Sequence, residues 1–573
     1  MEYIIFATVM AAILLLLIVR SWIDYRKSEK NFIRRLYCDY GVLPQKEYKP
    51  EQFSNISHYY LSHREGFEID DITWNDLNMD EVFKRMNYTW SAAGEEYLYY
   101  VLRIPCMDES KLQHREEMIS FFREHPDERV ACQCVFRRLG GTGKFSIYDY
   151  LGYLDQLGER SNSSHYLAFI LLLASIGMMF ANLPVGLLLL VCILIYNNIT
   201  YFRVKSEIDP YIVSFAYIFR LLDAAKEIRL QKSEIFQGEM EQLKKSSAAM
   251  GSFKRGSMLI MSQGRMSGSG NPLDMLLDFF RMGFHLDLIK FNQMLSQIRK
   301  HIKEVDEMIS TLGKIEAMIA VGAYRESLKT YCIPEFVPKP CISVQKLCHP
   351  LLEEPVTNDM ETEESVLITG SNASGKSTFL KTVAINSILA QTIHTALAER
   401  YLGAMFRIAS SMSLRDDVQG GESYYMVEIK SLKRILDLLS QENPEESAGK
   451  APVLCFVDEV LRGTNTVERI AASTQILRSM ARKNCMCFAA THDIELTHLL
   501  EKDYHNYHFS ETIEENDISF TYKIMEGRAT TRNAIRLLGI MGYDDEIIEE
   551  AENMAGDFLS SGVWHRLDGN KAE

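Results

Sequence analysis

With 573 residues the chain is too long for one hydrophobic core, and roughly two to four domains are expected. Its 47% hydrophobic and 24% charged residues are ordinary globular values, which excludes a largely disordered chain. A net charge of -15 excludes broad, nonspecific wrapping of nucleic acid, because neutralising phosphate needs basic surface; only a local basic patch is left open.

Eleven cysteines are scattered along the chain. The close pairs, Cys132/Cys134 and Cys485/Cys487, are separated by one residue, less than the spacing of zinc sites. They read as reduced structural thiols, which places the bulk of the chain in the cytosol.

Residues Tyr3 to Val19, "YIIFATVMAAILLLLIV", carry no charge. As a helix they span about 26 Å, near the thickness of a bilayer core. A cleaved signal peptide needs positive charge before the apolar run; here Glu2 precedes it and the basic "RSWIDYRKSEKNFIRR" follows. Because Lys and Arg mark the cytoplasmic flank, the segment reads as an uncleaved anchor with its N-terminus outside. A polar linker follows, over 21–72.

A second apolar block runs from Tyr166 to Ile195, broken only by Asn182 and Pro184. One straight helix of that length overshoots a membrane, whereas two halves joined at Asn182-Leu183-Pro184 form a hairpin. The alternative is a hairpin buried inside a soluble domain. A single crossing would put the downstream phosphate loop outside the cell, so two crossings or none are workable.

Between 246 and 272 the Gly/Ser/Met-rich "SSAAMGSFKRGSMLIMSQGRMSGSGNP" reads as a loop. Its three cations, Lys254, Arg255 and Arg265, make a small phosphate-contacting patch at most.

The stretch "GSNASGKST" fits G-x-x-x-x-G-K-[ST], with a strand-like "SVLI" before it and a helix-like "STFLKTVAINSILAQ" after it. Gly370, Ser371, Asn372, Ala373, Ser374, Gly375, Lys376, Ser377 and Thr378 are therefore expected to bind the phosphates of ATP. Backbone N–H groups and the helix N-terminus form the cradle, Lys376 reaches the terminal phosphates, and the Ser377 hydroxyl binds Mg2+. Downstream, "APVLCFVDEV" supplies an apolar strand ending in two carboxylates. Asp458 is expected in the magnesium shell, and Glu459 orients or deprotonates the attacking water. A further strand in "NCMCFAATHDIEL" ends at His492, a candidate sensor of the terminal phosphate on the edge where open α/β sheets bind ligands. Between the two strands, "DDVQGGESYYMVEIKSLKRILDLL" places Ser423 at the start of an amphipathic helix. One nucleotide needs one cradle, so Ser423 is expected to serve the ATP of a second subunit.

Taken together, "TGSNASGKST", "DDVQGGESYYMVEI", "VDEVLRGTNT" and "AATHDIELTHL" resemble the ATPase domain of the MutS family of mismatch-repair proteins. Upstream, "CHPLLEEPVTND" resembles the segment leading into that family's site; downstream, "FTYKIMEGRATTRNAIRLLGIMGYDDEIIEEA" resembles its closing strand and helices. The resemblance implies that Tyr522 stacks on adenine and that two chains dimerise, with Ser423 acting in trans. Weaker likeness to the family's helical core runs from Met79 to Pro105 and through "EVDEMISTLGKIEAMIAVGAYRESLKTYCIPEF". Too little sequence precedes Met79 for the family's mismatch-recognition and connector domains. The triplet Phe122-Arg123-Glu124 lies in a charged helical segment and reads as coincidence.

The expected fold is an α/β P-loop NTPase domain of ABC/MutS type following an all-α helical core with transmembrane helices. The expected order is an anchor (1–20), a linker (21–72), helical core (73–164), a transmembrane hairpin (165–203), more helical core (204–335), the ATPase (336–557) and a tail (558–573). The expected function is a membrane-anchored ATPase that hydrolyses ATP in a homodimer, at the cell membrane with its ATPase domain cytoplasmic. DNA and unidentified proteins are open as partners. Alternatives are an ATP-switched membrane scaffold without DNA binding and an ABC-type transport ATPase. Against transport, the spans lack ionisable residues and Arg-Gly-Thr follows the acidic pair.

Overall fold

The computed structural model describes residues 2–564 apart from 144, 157, 209–210, 229, 231–232, 252, 255–282, 372–373, 413–423, 441–450, 463, 515–516, 530–534, 536–537 and 540. Two compact units form. A helical unit comprises Met1–Glu65, Phe83–Val101 and Gln113–Leu328; an α/β unit comprises Gly66–Val82, Leu102–Leu112 and Lys329–Glu573.

In the helical unit the N-terminal helix runs unbroken over Glu2–Cys38, 37 residues. The sequence reading ends the anchor at residue 20 and begins a linker at 21, but no Pro or Gly occurs from Arg20 to Cys38, so nothing stops the helix there. Its far end is held on the helical unit by the buried Leu36 and by the guanidinium of Arg137, 3.6 Å over the Phe32 ring.

The apolar block forms two helices, Ser163–Ala181 and Leu183–Ile208, broken at Asn182. Pro184 sits in the first turn of the second helix, where its missing N–H costs nothing. The pair approach closely at the tip: a Cβ on Gly186 would lie 2.4 Å from the Met179 nitrogen. Both are long and apolar enough to cross a membrane, with mean hydropathy 1.8 and 2.0, and the rest of the protein covers little of either. Polar groups gather at the foot of the hairpin. Asn197 donates to the Gly283 carbonyl (3.0 Å), Tyr201 donates to Asp287 (2.7 Å), and His165 and His285 face each other at 3.1 Å. Together these tie the hairpin to the helix Leu286–Lys300.

The axis of the helical unit is Ile302–Ser327, buried along most of its length. Its Glu316 carboxylate accepts from Trp90 N, Ser91 N and Ser91 Oγ, and Arg325 forms a bidentate pair with Glu116 (2.8 and 2.6 Å). Phe122 is fully buried against Phe236, ring centroids 5.3 Å apart, as a core residue would be. Of the three cations in the Gly/Ser/Met-rich segment, Lys254 pairs with Asp223, while Arg255 and Arg265 lie outside the described residues.

The α/β unit has a six-stranded sheet in the order β10-β9-β4-β8-β7-β6 and a four-stranded sheet in the order β1-β5-β2-β3. Chain order is β1 Glu335–Phe336, β2 Ile342–Leu347, β3 Asn358–Thr362, β4 Ser365–Thr369, β5 Arg400–Gly403, β6 Arg407–Ser411, β7 Val453–Asp458, β8 Cys485–Ala490, β9 Tyr504–Glu514 and β10 Asp517–Glu526. Strands β9, β4, β8, β7 and β6 are parallel, and β10 returns antiparallel to β9. The apolar runs of β4, β7 and β8 bury both faces, which suits the centre of a parallel sheet. Two short segments before Gln113 join this unit through hydrogen bonds. Ser410 Oγ donates to Asp76 (2.7 Å), Ser410 N donates to Thr73 (3.0 Å), and Cys106 N donates to the Gln391 carbonyl (2.8 Å).

A candidate nucleotide site at the carboxyl ends of three strands

Register decides where the motif residues meet. Ile368 of β4 pairs with Ala490 of β8, and Ala490 pairs with Asp458 of β7, so the three strands end in one row. The residues that follow each end therefore converge: Gly370 to Thr378 after β4, Glu459 after β7, and His492 after β8.

The loop after β4 turns at Gly375, whose φ of 105° belongs to the region glycine favours, and the helix Lys376–Ile393 starts directly after it. Lys376 is nearly buried; its ammonium donates to the carbonyls of Gly370 and Ser371, both at 2.8 Å. Burial pulls its pKa down to about 8, although Glu459 and Asp458 pull it back upward. Ser374 is buried and Thr378 lines the adjoining cavity. Asn372 and Ala373 lie outside the described residues.

Ser377 lies beside the Asp458 carboxyl. Burial raises the Asp458 carboxyl, and its Oδ1 is buried without a hydrogen-bond partner among the described residues. A buried carboxylate oxygen with spare capacity beside a hydroxyl is a donor set that suits a hard cation such as Mg2+.

Glu459 has a φ of 54°, and its backbone N–H donates to Ala490 O at 2.9 Å, which fixes the turn. Its carboxylate meets His492 Nε2 at 2.9 Å and accepts from Arg462. Burial alone would raise this carboxyl, but the hydrogen bonds from His492 and Arg462 outweigh it and hold the pKa at about 2. His492 Nε2 also lies 3.3 Å from the Lys376 ammonium. It serves one of the two at a time: protonated, it donates to Glu459, and bare, it accepts from Lys376.

Beside the loop a cavity of about 230 Å³ is lined by Leu352, Val356, Gly375, Phe379, Phe509 and Tyr522, among others. Tyr522 is 44% exposed and sits at a bulge where the β10 register shifts, with φ 53°. A Cβ on Gly375 would come within 3.2 Å of its ring, so ring and loop are in close apposition.

Three contributors have no role assigned from the sequence. Asn358 braces the bulge, donating to Tyr522 O (3.0 Å) and accepting from Ile524 N (2.9 Å). Glu511 accepts from the Ser371 hydroxyl. Glu428 is buried on the helix Tyr424–Ser440 and accepts from Leu461 N, two residues past Glu459. Asn358 and Glu428 each lie in a quoted motif, yet neither spacing reveals a partner 164 or 33 residues away. Ser423 lies outside the described residues, so its expected trans role stays with the sequence.

The assembled groups are a buried lysine at a helix N-terminus, a carboxylate with an open oxygen beside a hydroxyl, an ionised glutamate steered by His and Arg, and an apolar cleft under a tyrosine ring. Residues 366–558 match MutS domain V. The chain is 31% identical over 273 residues to the DNA mismatch repair protein MutS of Thermotoga maritima, covering 46% of this chain and 33% of that protein. It is 27% identical over 277 residues to the protein of the same name from Pseudothermotoga lettingae. The chain spans about a third of the length of these curated relatives. Residues 366–558 are thus a MutS domain V, and the likeness to the MutS proteins extends over just under half of the chain.

Proposed function

We propose that this protein is a membrane-held MutS-type ATPase that binds Mg2+ and ATP at the ends of β4, β7 and β8 and uses hydrolysis to change the arrangement of a dimer. The observation that carries the reading is the convergence of Lys376, Asp458, Glu459 and His492 at three adjacent strand ends. Lys376 and the helix N-terminus suit the phosphates, and Ser377 with Asp458 suits Mg2+. When bound, Mg2+ supplies neutralisation of charge on the phosphates. Glu459, ionised throughout the neutral range, holds and orients a water by accepting its hydrogen bond; His492, shared between Glu459 and Lys376, links that water to the phosphate end. Tyr522 and the cleft beneath it suit the adenine.

Dimerisation and the trans role of Ser423 extend the family resemblance to this chain. Light scattering of the detergent-solubilised Glu459→Gln protein with ATP and Mg2+ tests them: a dimer is expected, and a monomer under those conditions removes the trans arrangement.

Membrane attachment rests on the composition of the N-terminal helix and the two hairpin helices. A hairpin returns the chain to the side it left, which supports a cytoplasmic ATPase domain. Alkaline carbonate extraction should leave the protein in the membrane pellet; release into the supernatant contradicts the reading.

A second reading, contact with DNA, is favoured by the mismatch-repair names of the relatives. Duplex and branched DNA titrated across salt concentrations decides it: steep weakening with salt supports phosphate contact, and no binding at low salt eliminates it.

A further inference from the structure

Away from the nucleotide site, the helical unit holds a cavity of about 360 Å³ where the far end of the N-terminal helix meets the helix Pro126–Leu139 and the loop after Met86. Phe32 and Trp90 form an edge-to-face pair in its wall, centroids 5.2 Å apart, and Trp90 is 44% exposed. Arg137 holds its guanidinium carbon 3.6 Å over the Phe32 ring and is itself exposed, so its N–H groups can still reach a ligand. Arg35 lines the same space, and neither arginine has an acidic partner among the described residues. Asp39 also lines it, which leaves the lining with a net charge of about one positive unit.

The decisive group is Gln133. It is 5% exposed, it lines this cavity, and its Oε1 has no hydrogen-bond partner among the described residues. Buried amide oxygens are nearly always satisfied, so an orphan in a cavity wall marks a place for a ligand's donor. Aromatic faces, two guanidinium groups and a buried amide together fit a planar, hydrogen-bonding ring that carries phosphate. The volume falls within the range of small-molecule sites.

We propose that this cavity binds a small nucleotide with a single phosphate. The base stacks against Trp90, its N–H edge donates to Gln133 Oε1, and the phosphate meets Arg35 and Arg137. The single net positive charge favours one phosphate over a triphosphate. With Tyr3–Val19 in lipid, Phe32 lies about 20 Å further along the same helix. That is beyond the reach of a lipid headgroup, so the ligand is a soluble one.

The test uses the full-length, detergent-solubilised chain carrying Lys376→Ala, which silences the nucleotide site at the strand ends. Equilibrium dialysis with labelled AMP, GMP, CMP, UMP, cyclic AMP and cyclic GMP, alongside adenosine, guanosine and inorganic phosphate, reads the binding. At least one nucleotide is expected to bind once per chain below millimolar concentration. The matching nucleoside and inorganic phosphate should bind at least about tenfold more weakly. Trp90→Ala and Arg35→Ala should each weaken the nucleotide about tenfold or more, the scale of a lost stack or phosphate contact. Both side chains are exposed, and unchanged circular dichroism checks that these variants fold; Gln133→Leu is the further variant if either does not. The proposal is overturned if no nucleotide binds at 1 mM. It is equally overturned if binding survives these substitutions, if it appears only when Lys376 is intact, or if inorganic phosphate alone binds as tightly.

Discussion

Two glutamates, one in each unit, are withdrawn from water and end with opposite titration behaviour. Glu459 in the α/β unit is held at about 2, and Glu316 in the helical unit is pushed up to about 7. Burial raises both. The difference is the company: Glu459 receives hydrogen bonds from His492 and Arg462, which carry or can carry positive charge, whereas Glu316 receives its bonds from the neutral Trp90 N, Ser91 N and Ser91 hydroxyl, with Lys46 the weakest of the neighbours that pull its pKa down. A perturbed carboxyl is thus not in itself a sign of chemistry. In one unit, charged partners keep a base ionised at the end of a sheet; in the other, neutral donors knit a loop to the central helix. Glu316 is a structural clasp, whereas Glu459 is the group proposed to orient water.

The sharpest way to break that contrast is to neutralise each glutamate. Glu459→Gln should lower ATP turnover by about 10²- to 10⁴-fold, the range for a lost acid–base or water-orienting group, while ATP binding persists. Glu316→Gln should leave turnover per folded molecule unchanged; steady-state hydrolysis and nucleotide binding on both variants decide between the roles. If Glu316→Gln abolished turnover in a folded protein, the division of labour would be wrong.

Crowding the clasp is the next largest effect. A Cβ on Gly94 would lie 2.2 Å from Glu316 Oε2, so Gly94→Ala forces the carboxylate out of its nest. It should destabilise the helical unit by about 1–3 kcal/mol, read as a lowered midpoint in urea. On the other side, Asn358→Ala removes the brace on the Tyr522 bulge. It should weaken ATP binding by about tenfold, with turnover at saturating ATP little changed.

The smallest effect is the pH response of the clasp. Between the ordinary carboxylate value of 4.5 and about 7, folded Glu316 keeps a proton that the unfolded chain has released. Stability of the helical unit should therefore fall as pH rises through that window and level off above it. Glu316→Gln should remove this component of the slope in urea midpoints measured from pH 4.5 to 8. Glu459 works in the opposite direction: its contribution is present above its unfolded value and is lost as pH falls toward 2.

How much of this was legible beforehand follows from the same physics. The phosphate loop, the acidic strand and the strand ending at His492 could be read because each pairs an apolar run of strand length with polar residues at its end. That pattern sets both burial and the edge on which ligands bind. The break at Asn182-Leu183-Pro184 was legible for a local reason too. Contacts across long sequence distance were not: Asn358 with Tyr522, Glu428 with Leu461, and Glu316 with Ser91 depend on register and packing that no spacing encodes. The helical course of the run from Arg20 to Cys38 was not legible from its charges, because charged residues without Pro or Gly continue a helix readily.

The account stands on the convergence of Lys376, Asp458, Glu459 and His492 into a hydrolytic site. Phosphate release by the full-length protein in detergent, measured with ATP and Mg2+ for the native chain and for Glu459→Gln side by side, tests it most directly. Mg2+-dependent hydrolysis by the native chain, lost in a variant that still binds ATP, is the predicted result. Equal turnover in the two proteins, or no ATP bound by either, would contradict it.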